Sequence, residues 1–184
     1  MDHGLERDIV GGQPRLLVIE SNRNYLGVIA RRLGEFGYRI ATADSAQAGL
    51  AELHRVPADL LLCSAKLPGT SGIELVRMIR EDPANRDLPV MLIVGRSDTA
   101  NAVKAFEAGA DGIVRKPCHF EVLAAAIARQ LTRAEAVRQL IVDNAALDAR
   151  VISRSIELGE LRDQLRAAES ERRRLAGIVA GRAA

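Results

Sequence analysis

The sequence predicts a doubly wound α/β domain, a five-stranded parallel sheet covered on both faces by helices, and a long helix after it. Three observations carry this. Apolar stretches at 15–20, 59–63 and 88–94 run without alternation, as strands buried on both faces do. The segments between them have apolar residues recurring at three and four, the spacing of amphipathic helices. From about residue 119 a helical pattern continues for about sixty residues without a proline, far beyond a globular helix.

Taken in order, Arg15 to Glu20 reads as a buried strand, and Asn22 can cap a helix whose apolar side is Leu26, Ile29, Leu33 and Phe36. Gly37 ends that helix. Tyr38 to Thr42 is a short second strand; Asp44 or Ser45 starts a helix carrying Ala46, Leu50 and Leu53, which Pro57 stops. A third strand runs from Asp59 to Ser64 into a Pro/Gly turn, and after Gly72 a helix with Ile73, Val76 and Ile79 ends near Asp82 and Pro83. Leu88 to Val94 is the fourth strand, Ser97 or Asp98 caps a helix with Val103 and Phe106 that Gly109 closes, and Asp111 to Arg115 is the fifth. In an open parallel sheet ligands bind beyond the carboxyl ends of the strands, so Ser64 stands where chemistry is expected.

The last helix has a different periodicity. Val137, Asn144, Val151, Leu158, Leu165, Arg172 and Val179 occupy one heptad position, and Leu140, Leu147, Arg154, Leu161, Ala168 and Leu175 the other. Nine of these thirteen are Val or Leu, sustained over about six heptads, which favours a left-handed coiled coil over one helix lying on the domain with a wider apolar stripe. Asn144 can pair with its own copy across a parallel two-stranded axis, so the expected assembly is a parallel homodimer. The domain plan is a tail at 1–14, an α/β domain at 15–131 and a coiled-coil helix at 132–184.

A net charge of +2 from 26 basic and 24 acidic residues provides no field to attract nucleic acid or an anionic membrane. Arg172, Arg173 and Arg174 follow Glu169 and Glu171 on a mixed face, so no nucleic acid is expected as partner. No apolar run reaches membrane-spanning length, the first fourteen residues lack the apolar core of a signal peptide, and Cys63 and Cys118 form neither a metal spacing nor a disulfide framework. A reducing cytoplasm is the expected location.

The Asp59-Leu60-Leu61-Leu62 strand, the Leu67-Pro68-Gly69-Thr70-Ser71-Gly72 turn, Gly109-Ala110-Asp111 and Lys116-Pro117 together make the chain resemble the receiver domain of two-component response regulators, over residues 15 to about 131. The resemblance implies a sheet ordered 2-1-3-4-5, a cis peptide before Pro117, and an aspartate at the end of strand three that accepts a phosphoryl group from a histidine kinase. Such transfer requires a nucleophile, a divalent cation and donors for the phosphoryl oxygens. The two acids that follow strand one in the family are here Glu20 and Ser21, the acceptor position is Ser64, the hydroxyl residue closing strand four is Val94, and the switch aromatic is Ile113. Only Lys116 keeps the family's residue.

With Ser21 and Ser64 in place of carboxylates, Mg²⁺ binding is expected to be lost or very weak, and no other cofactor is implied. His3 falls in the tail, His54 late in a helix and His119 at the cap of another, so no triad with Ser64 can be argued. Cys63 reads as a small core residue, and Lys116 with Glu20 as a structural salt bridge. The leading reading is a non-enzymatic pseudo-receiver that signals by protein contact and coiled-coil dimerisation, with another signalling protein as partner. The family's output face, 98–108 with 111–115 and the start of the last helix, is where that partner would dock. The rivals are a regulatory front half of a larger histidine kinase or cyclic-dinucleotide enzyme, and a phosphate-responsive regulator with an atypical acceptor.

Overall fold

The structure is a computed structural model that describes residues 12–182, with side chains described as far as Arg174. Most of the predicted tail, and the side chains of Leu175 and Val179, lie outside the described residues. Five strands, β1 Arg15–Ile19, β2 Arg39–Ala43, β3 Leu60–Ser64, β4 Val90–Val94 and β5 Gly112–Arg115, alternate with α1 Arg23–Glu35, α2 Ala46–Arg55, α3 Gly72–Glu81, α4 Thr99–Glu107 and α5 Phe120–Arg182. The sheet is parallel throughout and ordered β2-β1-β3-β4-β5, as the resemblance implies.

Successive residues of a strand face opposite sides, so the unbroken apolar strands supply two cores. Leu17, Ile19, Leu61, Cys63 and Leu92 pack with Ile73, Val76 and Ile79 of α3, whereas Leu16, Val18, Leu62, Met91 and Ile93 pack with Ile29 and Leu33 of α1 and Leu123 and Ile127 of α5. Every residue of β3 and β4 is buried. The helix starts follow local chemistry: Asn22, Ser45 and Asp98 accept backbone N–H groups as N-caps, and Ser71 forms a reciprocal capping box with Glu74.

Two strand starts fall later than their apolar runs. Asp59 stays outside β3 because its Oδ2 accepts the backbone N–H of Arg15 at 2.7 Å. Pro89 precedes β4 and contributes only its carbonyl, which accepts Leu61 N at 2.9 Å. Arg80 was not singled out in the sequence, yet it donates to the carbonyls of Gly109, Arg86 and Leu88 and to Asp111 Oδ2 at 2.7–3.0 Å. One guanidinium thereby joins the α3–β4 connection to the turn before β5.

The chain divides into two compact units after Glu135. In the second, the seam residues Val137, Leu140, Leu147, Val151, Leu158, Leu161 and Leu165 are 47–67% exposed on the single chain. Asn144 and Arg154 stand exposed in the same rows. No helix among the described residues is long and apolar enough to cross a membrane.

Gly72 packs so closely on β3 that a Cβ there would lie 2.1 Å from the Ser64 carbonyl oxygen, whereas Gly27, in α1, has open space around it. Gly72→Ala should therefore lower unfolding stability by about 1–3 kcal/mol through overpacking. Gly27→Ala should raise it by about 0.5–1 kcal/mol through chain entropy and helix propensity. Urea unfolding of the two variants measures both, and equal effects would contradict the packing argument.

Candidate functional site

The carboxyl ends of the strands bring Glu20, Ser64, Val94 and Lys116 to one edge of the sheet. Backbone bonds fix them there: Glu20 N donates to Ala43 O, Ala65 N to Ile93 O and Lys116 N to Val94 O, all at 2.8–3.1 Å. The Lys116–Pro117 peptide is cis.

Glu20 is only 2% exposed and holds the charge of this edge. A buried carboxylate needs compensation, and it receives two donors: Lys116 Nζ at 2.6 Å on Oε2 and the backbone N–H of Asn22 at 3.0 Å on Oε1. The ammonium also lies 4.2 Å from the centre of the Tyr25 ring, within cation–π range. Tyr25, in the first turn of α1, places its hydroxyl 3.9 Å from Cys118 Sγ. Burial foremost, then Cys118 and Glu20, pushes the Tyr25 phenol well above its usual 10.0. Burial foremost, then Glu20, also holds the Cys63 thiol well above its ordinary range, as suits a core side chain.

The other expected positions do not converge on the pair. Ser64 is 4% exposed, and among the described residues no histidine or carboxylate hydrogen-bonds its hydroxyl. Val94 is 1% exposed, and Ile113 is half-buried against the same core. Ser21 is turned to solvent. Nearby, Lys66 after β3 pairs with Asp98, the α4 cap, at 3.1 Å. Hydrogen bonds from Asn101 first and from Lys66 next hold the Asp98 carboxyl below its usual value.

A hard divalent cation takes oxygen ligands that carry negative charge. Here the buried carboxylate of Glu20 already accepts Lys116 and Asn22, and Ser21 and Ser64 are neutral. Among the described residues no group of three His, Cys, Asp or Glu could hold a metal.

Sequence reasoning paired Lys116 with Glu20 but missed Tyr25 and the Lys66–Asp98 bridge. The signal for Tyr25 was available: a residue three past the Asn22 cap sits in the first helical turn after β1, beside the strand ends.

The profile of the response regulator receiver domain matches residues 16–128, and the chain belongs to that family of two-component signalling domains. The transcriptional regulatory protein AfsQ1 of Streptomyces coelicolor is 36% identical over 142 residues, 77% of this chain and 60% of its own length. A Vibrio cholerae protein named as a probable cyclic di-GMP phosphodiesterase is 28% identical over 151 residues, 82% of this chain and 34% of its own. The chain thus spans between a third and three fifths of these relatives. Among solved structures, a receiver domain protein from Clostridium thermocellum superposes with a TM-score of 0.63 at 27% identity, covering 67% of this chain and 98% of that one. A CheY-like receiver domain protein from Methanospirillum hungatei gives 0.63 at 26% identity, with 68% and 98% covered.

Burial also raises the phenol of Tyr38, so both tyrosines of the chain stay protonated past 10.0 in the folded state. A folded-state value above the unfolded one means that the native protein binds more protons in that range, so their contribution to stability is intact below pH 10 and falls as pH rises beyond it. In an alkaline titration phenolate absorbance should appear together with loss of helicity. Ionisation of Tyr25 at pH 10 in the folded protein would contradict the site geometry.

Proposed function

We propose that this receiver-family chain is a pseudo-receiver, a domain that takes no phosphoryl group and signals through protein contact and self-association. The observation that carries the reading is the Glu20–Lys116 pair. The one carboxylate of the site is neutralised by the one ammonium, and Ser21 and Ser64 stand where the family places acids. A serine hydroxyl with no base beside it is a poor acceptor for a transfer that the family performs on a carboxylate. Val94 and Ile113 replace the groups through which a phosphoryl signal would be read.

The exposed Val and Leu rows of α5 support dimerisation through a parallel coiled coil. Each such side chain contributes on the order of 1.5–3 kcal/mol when buried, which outweighs local losses at Arg154, Arg172 and Gly159. The greater length of the curated relatives favours a second reading, in which α5 couples the domain to a further output segment of a larger signalling protein. In either reading the working partner is a protein; no nucleic acid or membrane role is invoked, and the cytoplasm is the proposed compartment.

Neither millimolar Mg²⁺ nor beryllofluoride should shift the melting temperature, and acetyl phosphate should add no phosphoryl group by intact-mass measurement. A ligand at a hundred times its dissociation constant would stabilise the fold by about 2.7 kcal/mol, so a silent melt is informative. Ser21→Asp with Ser64→Asp should restore the Mg²⁺ response. A wild-type response to Mg²⁺, or a phosphoryl adduct, would end the proposal.

The dimer is tested separately by deletion. A chain ending at Leu131 should scatter light as a monomer while the full chain scatters as two copies or more. Equal self-association of both would move the interface to the receiver domain.

A further inference from the structure

The coiled-coil seam does not account for all the apolar surface of α5. Val142, Ala145, Ala149, Ile152, Ile156 and Gly159 also recur at alternating steps of three and four, about 150° around the helix from the seam at 100° per residue. Val142, Ile152 and Ile156 are 61, 62 and 58% exposed, and the three small residues are exposed as well. A two-stranded coil along the seam would leave this second row in water. The row is bounded by charge on both sides, Glu135 and Arg138 before it and Asp163 and Arg166 after it.

We propose that this row is a second self-association surface, and that its occupant is the same row of another copy running antiparallel. The argument is self-complementarity. When a second helix is turned end for end about the midpoint between Arg150 and Val151, Val142 meets Gly159, Ala145 meets Ile156 and Ala149 meets Ile152. Every layer then joins one bulky residue to one small one, and the two-fold axis repeats each layer. In a parallel pairing each residue would meet its own copy, which leaves empty layers at Ala145, Ala149 and Gly159.

Charge selects the same register. Beyond the apolar layers Arg138 faces Asp163 and Glu135 faces Arg166, opposite signs at both ends of the contact. Asp163 and Arg166 already lie within 3.8 Å of one another on their own helix, so the two charges form one end group. A slip of one heptad in one direction sets Arg138 on Ile156; in the other it sets Arg166 on Val142. Both bury a charge against an apolar side chain. The seam and the second row are thus separate interfaces on one helix, and the second does not depend on the site being inert or on the seam being parallel. With three bulky residues against the nine Val and Leu of the seam, it is the weaker contact.

The experiment uses the full chain with two variants, Ala149→Cys and Ile152→Cys, each with Cys118→Ser, so that the new thiol is the accessible one while Cys63 stays buried in the core. On mixing and mild oxidation, a disulfide between position 149 of one copy and position 152 of another is expected. It should persist when Leu158→Lys and Leu161→Lys break the seam, and it should vanish with Ile156→Glu. In sedimentation, the mass of the unmodified chain should rise above two copies with concentration, whereas Ile152→Glu with Ile156→Glu should hold it at two with helicity unchanged. Cross-links only of 149 to 149 and 152 to 152 would overturn the antiparallel register. A mass insensitive to the glutamate pair, with no 149-to-152 bond, would overturn the proposal and leave the row to a different protein.

Discussion

The constraint on which the rest of the structure depends is that the central strands have no wet side. Leu16 to Ile19 and Leu60 to Cys63 are all 0% exposed, so the sheet can carry polar groups only where its strands stop. A charge at that edge is still largely removed from water and must bring its partner with it. Glu20 is buried under this rule, and Lys116 crosses from the end of β5 to meet it. The backbone N–H of Asn22 donates to the other oxygen of Glu20, and the Tyr25 ring lies against the ammonium, so both members of the pair are held.

The buried departures from the family's residues are also packing solutions. Val94 and Ile113 extend the cores upward to the strand ends, and Ser64 fills the buried position at the end of β3 without adding charge. The domain keeps the family's architecture, with an ion pair between Glu20 and Lys116 at the strand ends. If the phosphoryl group is not the input, the exposed apolar rows of α5, with Val103 and Phe106 of α4, are surfaces open to regulation by concentration or by a partner.

Much of this was legible in the sequence because parallel sheets leave a strong mark. The runs at Leu16 to Ile19, Leu60 to Cys63 and Val90 to Val94 have no alternation, and Asn22, Gly37 and Gly109 marked helix ends, while the caps at Ser45 and Asp98 were narrowed only to Asp44 or Ser45 and Ser97 or Asp98. The strand starts were harder, because apolar character continues through Leu88 and Pro89 while pairing waits for a residue that can donate and accept. At the site the residue types at Glu20, Ser21, Ser64 and Lys116 could be read, and a salt bridge inferred. The stacking of Tyr25 and the reach of Arg80 could not be read, since both depend on how a helix and a loop from distant parts of the chain approach. The second row on α5 was visible in the sequence but hidden by the stronger heptad beside it.

The close fit around the Glu20–Lys116 pair also bears on how such a site can change over time. A lone aspartate restored at position 64 would put a second negative charge in a dry pocket that holds one ammonium, and it would lower stability before any metal could bind. A lone change at Val94 or Ile113 would remove core contacts and return no activity. Steps back toward phosphoryl chemistry are therefore individually unfavourable, although each replacement packs well. On the proposed reading the site would work as a ratchet: substitutions that silence it could accumulate one by one, and reviving it would require several at once.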